Sequence, residues 1–205
     1  MNLRRIVVPI VVLVVLAGCG GSKTFSAGDL ASILPGKADT PQGLKFLPDS
    51  SGNQAIDLIV KDGDQQNKFI GFGFQGAYAS FYANDGALAI LQQQATPADP
   101  AAHVVTMLGV VFRTADGAHK ALALDLQKDM ATGTNVKQIA VKRIGDETIA
   151  ESGTQAALPL PAYLIYWREG NAIFAVIDAG GPTAPATLEA AQAFAATMDS
   201  RARKA

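Results

Sequence analysis

One thiol and two imidazoles are all the cysteine and histidine chemistry this chain holds: Cys19, His103 and His119. A thiolate metal cluster or an internal disulfide needs more than one cysteine, so neither is available. Neither histidine stands at metal-ligand spacing from a carboxylate, as H-E-x-x-H would require, and no metal site is expected. His119 falls three residues before Leu122 on an apolar helical stripe and reads as a half-buried residue at a core edge. His103 reads as a polar residue at the start of a strand. Asp62, Asp64 and Asn67 begin like a calcium loop, but its sixth and twelfth positions hold Asn67 and Gly73, where glycine and glutamate are needed. Asp146, Glu147 and Glu151 read as a solvated acidic loop. Gly71-Phe72-Gly73-Phe74-Gln75-Gly76 matches G-x-G-x-x-G as a string, yet its phenylalanines alternate with glycines as in a bent strand. A dinucleotide site needs those glycines between a strand and a helix. No G-x-S-x-G elbow is present. No catalytic residue and no cofactor is therefore assigned, and the chain is not expected to be an enzyme.

Cys19 is the residue with a role. Arg4 and Arg5 precede an apolar run from Ile6 to Leu16, and Ala17 and Gly18 follow it. Charged start, short apolar middle and small residues before a cut are the pattern of an export signal. A helix of that run would span about 16 Å, about half of a hydrocarbon core near 30 Å. Leu16-Ala17-Gly18-Cys19 resembles the lipobox of bacterial lipoproteins. The resemblance implies cleavage between Gly18 and Cys19 and a diacylglycerol thioether on the Cys19 sulfur. Two or three acyl chains on one residue would hold the protein to a membrane, where a single chain binds only marginally. Residues 1–18 are then the signal peptide, 19–25 the lipidated cysteine with a short tether, and 26–205 a single domain.

Composition agrees with a folded, exported module. Of the 205 residues, 49% are hydrophobic and 17% charged, which excludes disorder. The net charge of −1 gives no electrostatic case for nucleic acid. Removing residues 1–18 takes away Arg4 and Arg5, so the 17 basic side chains fall by two against 18 acidic ones. The mature chain is mildly acidic, with a net charge of about −3.

Hydrophobic patterning supplies the elements. Ser26 and Asp29 predict a short helix reaching Ile33. Ile56–Val60 reads as a strand ended by Asp62-Gly63, and 69–82 as a period-2 strand. Asn84-Asp85-Gly86 is a turn signal before a strand or short helix at 87–94. Val104–Phe112 is apolar enough for a central strand covered on both faces. Ala118, Leu122, Leu126 and Met130 predict a helix over 115–131, with Thr114 as its cap. Val136–Ile144 reads as a strand. Tyr163–Arg168 and Asn171–Ile177 flank Glu169-Gly170 as a hairpin. Leu188, Ala191, Phe194, Ala195 and Met198 stripe a last helix over 185–202. Helices interposed among hairpin-joined strands predict an α+β fold, an antiparallel sheet with helices packed mainly on one face.

The hairpin Tyr163–Ile177, with Arg168-Glu169-Gly170-Asn171 at its turn, and Ile144-Gly145-Asp146-Glu147 before it, resemble uncharacterised actinobacterial-type extracytoplasmic lipoproteins. Some similar proteins have a Mog1/PsbP-like fold. If helices cover only one side of the sheet, aromatic residues on the other side form a surface. Tyr163, Ile165, Trp167, Phe72 and Phe74 are the candidate ligand or partner surface. The expected protein is a lipoprotein on the outer face of the cytoplasmic membrane or another envelope membrane, joined to it through lipid on Cys19. Its expected role is a non-catalytic binding module for an envelope protein or a lipid ligand. The alternative is a carrier of lipids or hydrophobic ligands, with an apolar cavity between sheet and helices.

Overall fold

The computed structural model describes residues 23–91, 99–132, 134–155 and 158–205. The expectations for the signal segment, Gly18 and Cys19 fall outside these residues.

Two apolar strands form the middle of the sheet. In β4 (His103–Phe112) and β8 (Ala172–Gly180) nearly every residue is buried, as it must be when both faces are covered. They pair antiparallel from His103 opposite Gly180 to Val111 opposite Ala172. Outward from β4 lie β3 (Phe74–Ala83) and then β1 (Lys45–Phe46), with β2 (Gly52–Gln54) also paired to β3. Outward from β8 lie β7 (Leu158–Glu169), β6 (Glu147–Gln155) and β5 (Thr134–Gln138). All pairings are antiparallel, so the expected α+β class holds.

The helices cover both faces. Strand alternation sends Ile165, Trp167, Phe174 and Val176 under α6 (Leu188–Ala202) and α1 (Leu30–Ile33). The alternate residues Tyr166, Ile173, Val110 and Phe112 meet α5 (Ala115–Thr132) and α3 (Gly63–Gly71). Near the far end of β3, α4 (Asp85–Leu91) adds Ala87 and Leu88 to a third cluster with Val104 and Leu164. The one-sided arrangement of helices expected from the strand pattern is thus replaced by two covered faces. Its cause is visible in α6, whose buried stripe is Ala191, Ala195, Met198 and Ala202. Small residues on that stripe let the helix lie close over Trp167 and Phe174, which stack at 5.4 Å.

Several elements differ from their sequence patterns. Ile56–Val60 forms one helical turn, α2 (Ile56–Ile59), because a short apolar run carries no period that separates strand from helix. The 69–82 stretch splits: α3 runs through Gly71, and the strand starts only at Phe74. Asp62, read as a turn residue, caps α3 by accepting the Gln65 N–H at 2.9 Å. The 136–144 strand is shorter and earlier, at Thr134–Gln138, and the acidic loop after it is largely β6.

The N-terminal segment is stitched to the hairpin. Phe25 N–H donates to Asn171 Oδ1 at 2.7 Å, and Asn171 Nδ2 donates to Phe25 O at 3.0 Å and Phe112 O at 2.6 Å. The Phe25 ring then meets Phe174 edge-on at 5.7 Å. Gly170 has φ +57, and a Cβ there would lie 1.6 Å from the Lys23 carbonyl oxygen. Only glycine fits both the turn and that approach. Asn171 is 5% exposed, so removing its amide strands buried backbone groups that water cannot reach. Asn171→Ala is expected to lower the unfolding free energy by about 2–4 kcal/mol in a guanidinium titration. A loss below about 0.5 kcal/mol, the range of ordinary surface changes, would contradict the clamp.

Candidate functional site

The five residues proposed as a surface do not form one. Ile165 and Trp167 are fully buried beneath α6. Tyr163 shares their face and is half-buried; it lines a cleft of about 400 Å³ near the start of the hairpin, with Lys137, Ser152, Pro161 and Pro185. Phe72 and Phe74 pack on the opposite face, where Phe74 meets Phe112 edge-on at 6.3 Å. Covering both faces converts the aromatic hairpin into core. The glycine string fares similarly: it lies at the end of α3 and the start of β3, a helix-to-strand order that is the reverse of a dinucleotide turn.

What the hairpin does position is a charged edge. Arg168, near the end of β7, donates through Nε to Glu147 Oε1 at 2.6 Å and through an Nη to Asp146 Oδ2 at 2.8 Å. Asp146 Oδ2 also accepts Gly170 N–H at 2.9 Å, which locks the turn. Gly145 makes the corner possible, since its φ is +58 and a Cβ would lie 2.5 Å from the Arg168 carbonyl oxygen. His119 joins from α5, its Nδ1 lying 2.8 Å from Glu147 Oε2. This histidine is therefore an exposed hydrogen-bond partner of Glu147 rather than a core-edge residue, its side chain 56% accessible. The acidic residues expected as a solvated loop are held in place: Asp146 and Glu147 by Arg168, while Glu151 is fully buried in β6. The sequence signal was the complementary Arg168, which a reading by spacing alone passes over.

Beside this corner, an open groove of about 300 Å³ separates residues 141–144 from the C-terminal half of α6. Its apolar side comes from Val141, Ile144, Ile165 and Ala196, and its polar side from Lys142, Arg143, Asp199 and Arg203. Arg203 Nε donates to Asp199 Oδ2 at 2.9 Å. That hydrogen bond and the charge of Asp199 hold the Arg203 guanidinium above its ordinary range. Burial pushes the nearby Glu169 carboxyl up, and the charge of Asp199 adds to it. The buried indole N–H of Trp167 has no hydrogen-bond partner among the described residues.

A second polar pair lies at the opposite end of β8. Asp178 is fully buried and takes His103 Nε2 at 2.6 Å. Its other oxygen faces the Thr187 N–H at 3.4 Å, just before α6. The pair closes the sheet against the start of the helix, and His103 has a definite partner that its place at a strand end did not suggest. Among the described residues, no group of three or more His, Cys, Asp or Glu side chains could hold a metal ion.

No protein-family model matches the chain, and no curated protein matches it. Among solved structures, its fold is similar to that of the extracellular domain of PknH from Mycobacterium tuberculosis. The TM-score is 0.54 at 16% identity, over 90% of this chain and 100% of that one. At that identity the likeness is one of fold. Among the described residues, no helix is long and apolar enough to cross a membrane.

The Arg168 corner gives a pH signature. Burial raises the Glu147 carboxyl, but hydrogen bonds from Arg168 and His119 outweigh it and leave the net direction down. A carboxyl lowered by folding stabilises the native state above its unfolded pKa, and that stability disappears as pH falls through the folded one. Compared with wild type, Glu147→Gln is therefore expected to be less stable at pH 7, with the gap closing below the ordinary glutamate range. A gap that stays constant down to pH of about 2 would contradict the ion pair.

Proposed function

We propose that this chain is an extracytoplasmic lipoprotein whose single α+β domain serves as a non-catalytic binding module in the cell envelope. The observation that carries the reading is Leu16-Ala17-Gly18-Cys19 placed directly after a short charged and apolar segment. The fold likeness to an extracellular domain supports an exported setting. A diacylglycerol thioether on Cys19 holds the protein to the outer face of the cytoplasmic membrane or to another envelope membrane. Its ligand is an envelope protein or lipid met at the surface.

A carrier that encloses an apolar ligand is less well supported. Under α6 the space is occupied by Trp167, Phe174, Met107 and Met198, and under α5 by Phe69, Phe112 and Leu122. The 300 Å³ groove beside α6 is open and rimmed with charge.

Metabolic labelling with a clickable fatty acid tests the anchor. Wild-type protein is expected to take the label and to begin at Cys19 in its intact mass. Cys19→Ala is expected to take none. An unlabelled wild-type product that still begins at Met1 would overturn the reading.

A further inference from the structure

The chain leaves the domain at a defined place. Lys23 Nζ donates to the Ala202 carbonyl oxygen at the end of α6, and the Lys23 backbone lies against Gly170. Phe25, two residues on, is held by Asn171. Four residue steps separate Lys23 from Cys19, and extended chain covers at most about 14 Å in four steps. If Cys19 carries lipid, the end of α6 and the β7–β8 turn cannot stand far from the bilayer.

That same edge is where the groove between residues 141–144 and α6 lies, since Arg203 lines it and follows Ala202 directly. Its rim is cationic although the mature chain as a whole is mildly acidic. Lys142 and Arg143 line the groove, and Lys204 directly follows Arg203; all three are exposed and make no salt bridge among the described residues, Arg143 donating only to the Asp146 backbone carbonyl. The acids nearby are already engaged or opposed: Asp199 by Arg203, Asp146 by Arg168 and the Gly170 N–H. Glu169 lies in this cluster too, its carboxyl pushed up by burial and by the charge of Asp199. The polar side of the groove therefore offers excess positive charge, above apolar surface from Val141, Ile144 and Ala196.

We propose that this edge docks on the membrane that holds the anchor, with Lys142, Arg143 and Lys204 against anionic phospholipid headgroups. The tether's exit and the charge point the same way. Basic side chains beside an anchored end gain attraction from an anionic leaflet, and that attraction fades within a Debye length. Docking fixes which way the rest of the domain faces: the Tyr163 cleft and the His103–Asp178 pair, at the opposite ends of β7 and β8, look away from the membrane toward the envelope space. The inference rests on the anchored reading above.

The test uses the protein as cells make it, purified with its anchor and placed in nanodiscs of phosphatidylcholine alone or with phosphatidylglycerol. Hydrogen exchange is followed peptide by peptide. Docking predicts that amides in 139–146 and 199–205 exchange about tenfold more slowly with phosphatidylglycerol, an effect removed by high salt. The double variant K142E/R143E is expected to lose the slowing while keeping its unfolding midpoint. The same exchange in both discs, or slowing centred on the Tyr163 cleft, would overturn the docking. Failure of the anchor reads differently: the protein carries no acyl chain by mass and does not stay with the discs.

Discussion

Three distant stretches of chain meet at the amide of Asn171. It binds both the N–H and the carbonyl of Phe25, and it also reaches the carbonyl of Phe112 at the end of β4. Backbone groups buried this deeply must be paired, and at Phe25 the Asn171 amide supplies both partners. One side chain thus joins the start of the domain, the central strand and the tightest turn of the sheet. Around it the neighbours are equally constrained. Gly170 gives way to the Lys23 carbonyl, Asp146 holds the Gly170 N–H, and Arg168 holds Asp146. The exit point of the N-terminal segment is consequently a fixed feature of the fold.

Fixing that point has a consequence for everything at the surface. Strands β7 and β8 run the length of the sheet, and α6 lies along them with its last turn beside Lys23. An element of this kind has two ends separated by about 20–30 Å. One carries the tether and the groove rimmed by Lys142, Arg143 and Arg203; the other carries Tyr163, the loop at 180–186 and the buried Asp178. On the docking proposed above, the two ends of the same hairpin would take membrane-facing and solvent-facing roles.

Much of this was legible in the residues. Val104–Phe112 had to be covered on both faces, the Glu169-Gly170 turn had to close a hairpin, and Thr114 and Leu188–Met198 marked the two long helices. The same apolar β4 already implied helices on both faces, and so argued against an exposed aromatic patch at Ile165 and Trp167. What spacing could not reveal were pairings between residues far apart in sequence. Asn171 with Phe25, His119 with Glu147 and His103 with Asp178 are separated by 146, 28 and 75 positions. Nor did a period-2 pattern over 69–82 disclose that Asp62 caps a helix reaching Gly71, because aromatic residues at such spacing suit either element.

The central claim is an orientation: the end of α6 lies at the bilayer and the 180–186 loop lies away from it. With Cys19 occupied by lipid as proposed, Ala205→Cys and Thr183→Cys each provide one free thiol for a fluorophore. Energy transfer to acceptors on lipid headgroups should be strong from position 205 and weak from position 183. Equal transfer from the two positions, or the reverse order, would contradict the account.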